Sequence, residues 1–129
     1  IVIDAPSDLG PVARTALASG DCLLIPMSPA AHHEEAVNET IRAALAEKER
    51  FAVYGVRIES RARMQGYEDQ SDEREPVDGF DLLDSTICFD PDTFEAAAQQ
   101  GLPVFEAAPG SLAARCFLEL RREMIDLVL

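Results

Sequence analysis

Positive charge is scarce in this chain. Its 129 residues hold 11 Lys and Arg against 24 Asp and Glu, a formal net charge of −13. DNA binding draws most of its affinity from Lys and Arg neutralising phosphates. The balance therefore disfavours a DNA-binding surface and leaves a basic partner, or simple solubility, as the use of the acids. No apolar run reaches the roughly 18 residues that suggest a membrane-crossing helix, and no secretory leader is visible. The closing stretch Arg121 to Leu129 has two bases offset by two acids. It reads as the end of a core helix rather than a basic membrane anchor.

Other absences narrow the chemistry. The three cysteines, Cys22, Cys88 and Cys116, are far apart, and none belongs to a Cys-x-x-Cys pair. They read as free buried thiols of a reducing, cytoplasmic protein, with no zinc site and no disulfide framework. His32 and His33 are adjacent, so on a helix they point about 100° apart and make poor co-ligands. No Ser/His/Asp order or His-Glu-x-x-His spacing supports a hydrolase or metalloprotease. No Gly-rich run precedes a Lys and a Ser/Thr, the loop that cradles phosphates with backbone N–H groups. Lys48 sits in a charged helical run instead. There is no internal repeat or low-complexity tract.

What is present suits one globular domain, with 47% hydrophobic residues and enough length to bury a core. Residues 1–5 read as a buried strand. Pro11 to Ser19 reads as a helix opened by Pro and ended by Gly20. Residues 22–26 form a second buried strand stopped by Pro26. A helix from a Ser28 cap to about Arg50 carries Val37, Ile41, Ala44, Leu45 and Lys48 on one face. Residues 51–58 make a third strand rich in Val, Ile and aromatics. The polar stretch from Arg61 to Asp81 reads as a loop, acidic across residues 68–75. A fourth strand covers 85–89. Asp90-Pro91-Asp92 starts a helix ended by Gly101, and Val104 to Glu106 suggests an edge strand. Ser111 caps a last helix with Ala113, Phe117, Leu120, Met124 and Leu127 inward. Strands alternating with helices imply right-handed crossovers and a mainly parallel sheet, hence a three-layer α/β/α fold.

One stretch carries most of the functional information: Ile1-Val2-Ile3-Asp4-Ala5-Pro6-Ser7-Asp8-Leu9-Gly10. An apolar run ending in a carboxylate, then Pro and a small-residue turn, resembles the Walker B strand and following loop of a nucleotide-hydrolysing α/β domain. It is followed in order by Thr15-Ala16-Leu17-Ala18-Ser19-Gly20-Asp21, Cys22-Leu23-Leu24-Ile25-Pro26-Met27, Gly55-Val56, Gly101-Leu102-Pro103-Val104-Phe105-Glu106 and Pro109-Gly110-Ser111-Leu112-Ala113-Ala114. The series is similar to the C-terminal half of the ParA/MinD family of deviant-Walker P-loop ATPases, with the ParA partition type as the nearest likeness.

The resemblance implies a site. Asp4 would be the Walker B acid that holds Mg²⁺ through water, and Ala5 to Gly10, including Pro6, the switch II loop. Met27-Ser28-Pro29 and Pro109-Gly110-Ser111 match the loops that pack on and bond the purine; helix initiation accounts for the same residues. Asp8 reads as a cap for the helix at Pro11. Residues 57–60, Arg57-Ile58-Glu59-Ser60, depart from the polar pattern that many relatives carry after this strand. Relatives with an iron–sulfur cluster need a cysteine just after the Walker B strand, and residues 6–10 have none. Arg57, Arg61 and Arg63 form the compact basic cluster, read as a solvated edge or a DNA contact.

The phosphate loop precedes the Walker B strand in that family, and its strand lies between the Walker B strand and the next. Ile1 falls inside an apparent buried strand, whereas chain ends are usually exposed. The 129 residues are thus expected to be a single, incomplete domain lacking that strand. The implied function is an ATP- and Mg²⁺-dependent partition ATPase, a homodimeric switch that meets a ParB-like partner, inactive as this polypeptide alone. A second reading is a non-catalytic relative that binds protein through the acidic 68–75 segment. A receiver-like domain would need an acid cluster at its first strand and a Lys near a later strand end, and neither is present.

Overall fold

The computed structural model describes residues 1–6, 8–28, 34–47, 52–66 and 80–128. Pro29, His32-His33, Lys48, Arg50, the first residue of the expected 51–58 strand and the acidic 68–75 stretch lie outside the described residues. The elements are α1 (Pro11–Ser19), β1 (Cys22–Met27), α2 (Glu34–Glu47), β2 (Ala52–Ser60), α3 (Arg61–Met64), β3 (Asp81–Phe89), α4 (Pro91–Gln100), α5 (Val104–Ala107) and α6 (Leu112–Val128).

The strands pair in the order β1-β2-β3, parallel throughout. Successive side chains of a strand point to opposite faces. Ile25 and Val53, with Leu23 and Met27, pack with Leu17 of α1 and Ile41 and Ala44 of α2. Leu24, Tyr54, Val56 and Ile58 pack with Cys116, Phe117, Leu120 and Met124 of α6. The sheet is thus covered on both sides, giving the expected three-layer α/β/α arrangement. The apolar stripe on α2 seats as its periodicity requires: Ile41 and Ala44 are buried, with Val37 and Leu45 partly buried beside them.

Local chemistry sets the helix ends. Pro occupies the first turn of α1, and the Gly20 N–H bonds the Ala16 carbonyl. Gly10, not Asp8, is the N-cap residue; the Asp8 carboxylate accepts the Gly10 N–H at 2.9 Å, two residues away. Gly101 closes α4 at φ 64°, the left-handed conformation that glycine adopts without a Cβ penalty.

Further expectations are corrected. Residues 1–6 are exposed and form no strand. A strand exists only through its ladder. No strand among the described residues pairs with this segment. Val104 to Glu106 begins helix α5 instead of an edge strand, because the Pro103 carbonyl accepts the N–H groups of Glu106 and Ala107. The strand at 22–26 runs on through Pro26 to Met27; among the described residues β1 pairs on one side only, with β2, so the missing Pro26 N–H leaves no gap in that ladder. Leu127, placed on the inner face of α6, is 48% exposed, and its neighbours Ile125 and Val128 in the last turn of the helix are exposed to a similar degree.

The strand expected at 85–89 starts earlier, at Asp81, and contains a bulge. Between the pairs Gly55↔Leu82 and Arg57↔Thr86, β2 contributes Val56 alone while β3 contributes Leu83, Asp84 and Ser85. A bulge leaves backbone groups without ladder partners. Glu123 of α6 takes them: its carboxylate accepts the Asp84 N–H and the Ser85 N–H, each at 2.8 Å.

Candidate functional site

In open parallel α/β sheets ligands bind outside the carboxyl ends of the strands. Here that edge is built by Met27-Ser28 after β1, Glu59-Ser60 running into α3, and Phe89-Asp90 running into α4. The N-terminus of α6 joins it. Phe117 contacts Phe94 (ring centroids 6.2 Å apart), and Phe94 contacts Phe89 at the end of β3 (5.5 Å). Further along α6, Glu123 bonds the middle of β3. The helix therefore runs antiparallel to β3 and starts at the carboxyl edge.

Ser111 sits at that start. Its hydroxyl accepts the Ala114 N–H at 3.1 Å, the expected cap of the last helix. Ser111→Ala is expected to lower unfolding stability by about 1 kcal/mol, read from a urea titration; unchanged stability would show the cap to be idle. Pro109 and Gly110 precede it, exposed in the turn. At β1, Met27 and Ser28 are half-buried. Pro29 lies outside the described residues. Asp4 and Pro6 are exposed in the segment outside the sheet, so no strand carries Asp4 to the edge.

The basic cluster is committed within the chain. Arg57 Nε reaches Thr86 Oγ1 at 3.4 Å. Arg61 Nη1 meets Asp90 Oδ2 at 3.4 Å, which ties α3 to the end of β3. Arg63 Nε is 3.3 Å from Glu59 Oε2, with both side chains largely covered. That oxygen has the guanidinium within ion-pair reach but no aligned hydrogen bond. The Ser60 hydroxyl accepts the Arg63 N–H at 3.1 Å and so caps α3. Arg57 and Arg63 are half-buried, while the Arg61 side chain stays 62% exposed, so the cluster fits a structured edge with one guanidinium open to solvent.

The residues of this chain do not by themselves fit ATP–Mg²⁺. The phosphate grip has no Gly-Lys loop, the Ser111 hydroxyl serves the helix cap, and Asp4 stands in an exposed segment.

Two groups escaped the sequence reading. Glu123 is one: an acid on a helix looks solvated, and its partners become visible only once the β3 bulge is known. Burial works against its charge, but the Ser85 hydroxyl, the Ser85 and Asp84 N–H groups and the Arg57 guanidinium outweigh it and hold the carboxyl below its usual range. The second is an apolar hollow of about 330 Å³ between α4, α5 and α6, lined by Phe94, Ala97, Ala98, Leu102, Phe105 and Phe117 among others.

Cys88 and Cys116 are buried in one cluster, as the apolar contexts suggested, while Cys22 is half-buried. Burial first, then Cys116 and Asp90, push the Cys88 thiol up, against a smaller opposing effect of Arg61. Only thiolate reacts quickly. In native protein Cys22 is expected to be alkylated first, with Cys88 and Cys116 modified only on unfolding; mass spectrometry of a timed iodoacetamide reaction reads the order. No helix among the described residues is long and apolar enough to cross a membrane. No family model, curated protein or solved structure matches the chain.

Proposed function

We propose that this chain is part of a ParA-like partition ATPase, a nucleotide-dependent switch acting in plasmid or chromosome segregation in the cytoplasm. The observation that supports the reading most is the order of elements. Three successive parallel strands end at one edge, and a Ser-capped helix returns its N-terminus to that edge. The resemblance implies these elements in this order, following a strand at residues 1–5 that the structure does not form. In this reading Asp4 supports Mg²⁺, Pro6 belongs to the switch loop, and Met27, Ser28, Pro29, Pro109, Gly110 and Ser111 frame the base. Residues outside the 129 supply the triphosphate grip and the strand beside residues 1–5. The complete protein would work as an ATP-bound homodimer that meets a ParB-like partner. The charge of −13 weighs against DNA as the surface this half contacts.

A specific observation favours a second reading. Asp4 is exposed and no strand carries it, as expected of a non-catalytic relative that binds protein through the acidic 68–75 segment. Titrating a fluorescent ATP analogue with Mg²⁺ into the complete product of the reading frame separates the two. Saturable binding weakened by Asp4→Asn supports the switch; no binding by the complete product supports the interaction module.

A further inference from the structure

The hollow between α4, α5 and α6 has no role in the nucleotide reading. Its lining is almost wholly apolar, with Ala97 and Ala98 leaving room between the Phe94, Phe105 and Phe117 rings. Large side chains stay open to water around it: Phe105 is 47% exposed and Leu102 42%. A hollow of this size, open to water and ringed by apolar side chains, has room for one large apolar side chain of a partner.

Charge identifies the occupant. Residues 90–115, which form α4, α5 and the first turn of α6, include Asp90, Asp92, Glu95 and Glu106 against one base, Arg115. Asp90 is paired with Arg61. Asp92, Glu95 and Glu106 are exposed, and Glu95 and Glu106 directly follow the groove residues Phe94 and Phe105. A second copy of this chain brings the same −13 charge, and the chain's own residues 67–79 bring six acids against one Arg. Their net charge opposes their settling against this face. A segment with an apolar stripe flanked by Lys or Arg matches it in shape and charge.

We propose that the α4–α5–α6 groove is the docking site for a basic amphipathic helix of a partner protein. The helix sets one large apolar side chain into the hollow over Ala97 and Ala98, and its Lys or Arg residues face Glu95 and Glu106. The inference does not depend on nucleotide binding.

The probe is a fluorescein-labelled Leu/Lys amphipathic peptide of about 18 residues, titrated into the intact chain and read by anisotropy. A polycation is attracted to any acidic protein, so the decisive variants leave charge unchanged. Phe105→Ser and Ala98→Trp, which empty and fill the groove respectively, are each expected to weaken binding about tenfold with an unaltered circular dichroism spectrum. Leu118→Ser, at an exposed apolar site elsewhere on α6, is expected to leave it unchanged. Glu95→Lys with Glu106→Lys is expected to weaken it about fivefold and to flatten its salt dependence. The proposal is overturned if the groove variants bind like the parent or if a Leu/Glu peptide binds as well. A parent dimer that Phe105→Ser dissolves overturns it too, since the occupant is then a second copy.

Discussion

Glu123→Ala is expected to lower unfolding stability by about 2 kcal/mol, a large share for a domain of this size. The magnitude follows from what the carboxylate does. It accepts two backbone N–H groups, from Asp84 and Ser85, each at 2.8 Å. The bulge in β3 has taken both residues out of the ladder with β2. Charge-assisted bonds to backbone are worth about 1.5–3 kcal/mol each when buried; Asp84 is exposed, so water recovers part of the loss. Glu123→Gln is expected to fall between parent and Ala, because an amide offers one acceptor and turns its N–H₂ toward the other N–H. The pH dependence has a definite sign. The folded carboxyl is held below its ordinary value of 4.5, so its contribution is complete above that value and is lost as pH falls through the lower, folded one. Urea titrations from pH 7 downward should show the parent and Glu123→Ala converging in acid. A constant gap across that range would mean the carboxylate's charge does not matter.

Gly55→Val is expected to be costlier, about 3 kcal/mol. Gly55 lies in the middle strand with no left-handed conformation to explain it. The reason is a close approach. A Cβ there would overlap the Phe80 ring and stand 2.7 Å from Met27 Sδ. Glycine inside a strand often marks such a place, here where an aromatic ring covers the backbone. Phe80 and Met27 belong to the cluster under α2 with Ile41, Ala44 and Val53. Moving the ring disturbs the seat of that helix. Thermal melts of Gly55→Val and of the double variant with Phe80→Ala distinguish this account: relief in the double variant supports it, and strict additivity would show that the ring is not the obstacle.

Much of the fold was legible because its signals are local. Pro11 and Gly20 bracket α1, Pro91 and Gly101 bracket α4, and Ser111 caps α6. The spacing of Val37, Ile41, Ala44 and Leu45 told which side of α2 is buried. The errors arose where a non-local partner decides. Ile1 to Ala5 has strand composition, but composition supplies no neighbour, and the segment is exposed. Val104 to Glu106 has strand composition too, yet the Pro103 carbonyl turns it into α5. Pro26 does not stop β1, because among the described residues the strand pairs on one side only.

The site was less legible than the fold, for the same reason. Ser111 was placed correctly through its capping chemistry. The arginines at 57, 61 and 63 looked like an available basic cluster. Their partners Thr86, Asp90 and Glu59 come in part from 29 residues away, and spacing alone does not reveal them. Glu123 and the apolar hollow depend on how α6 crosses β3 and α5, which no periodicity in the sequence encodes.

Phosphate release from Mg²⁺-ATP, measured side by side on this polypeptide and on the complete product of its reading frame, tests the functional proposal most directly. The expected result is none from the 129 residues, turnover by the complete product, and loss of about a hundredfold with Asp4→Asn. Turnover by the 129 residues alone, or a complete product indifferent to Asp4→Asn, would contradict it.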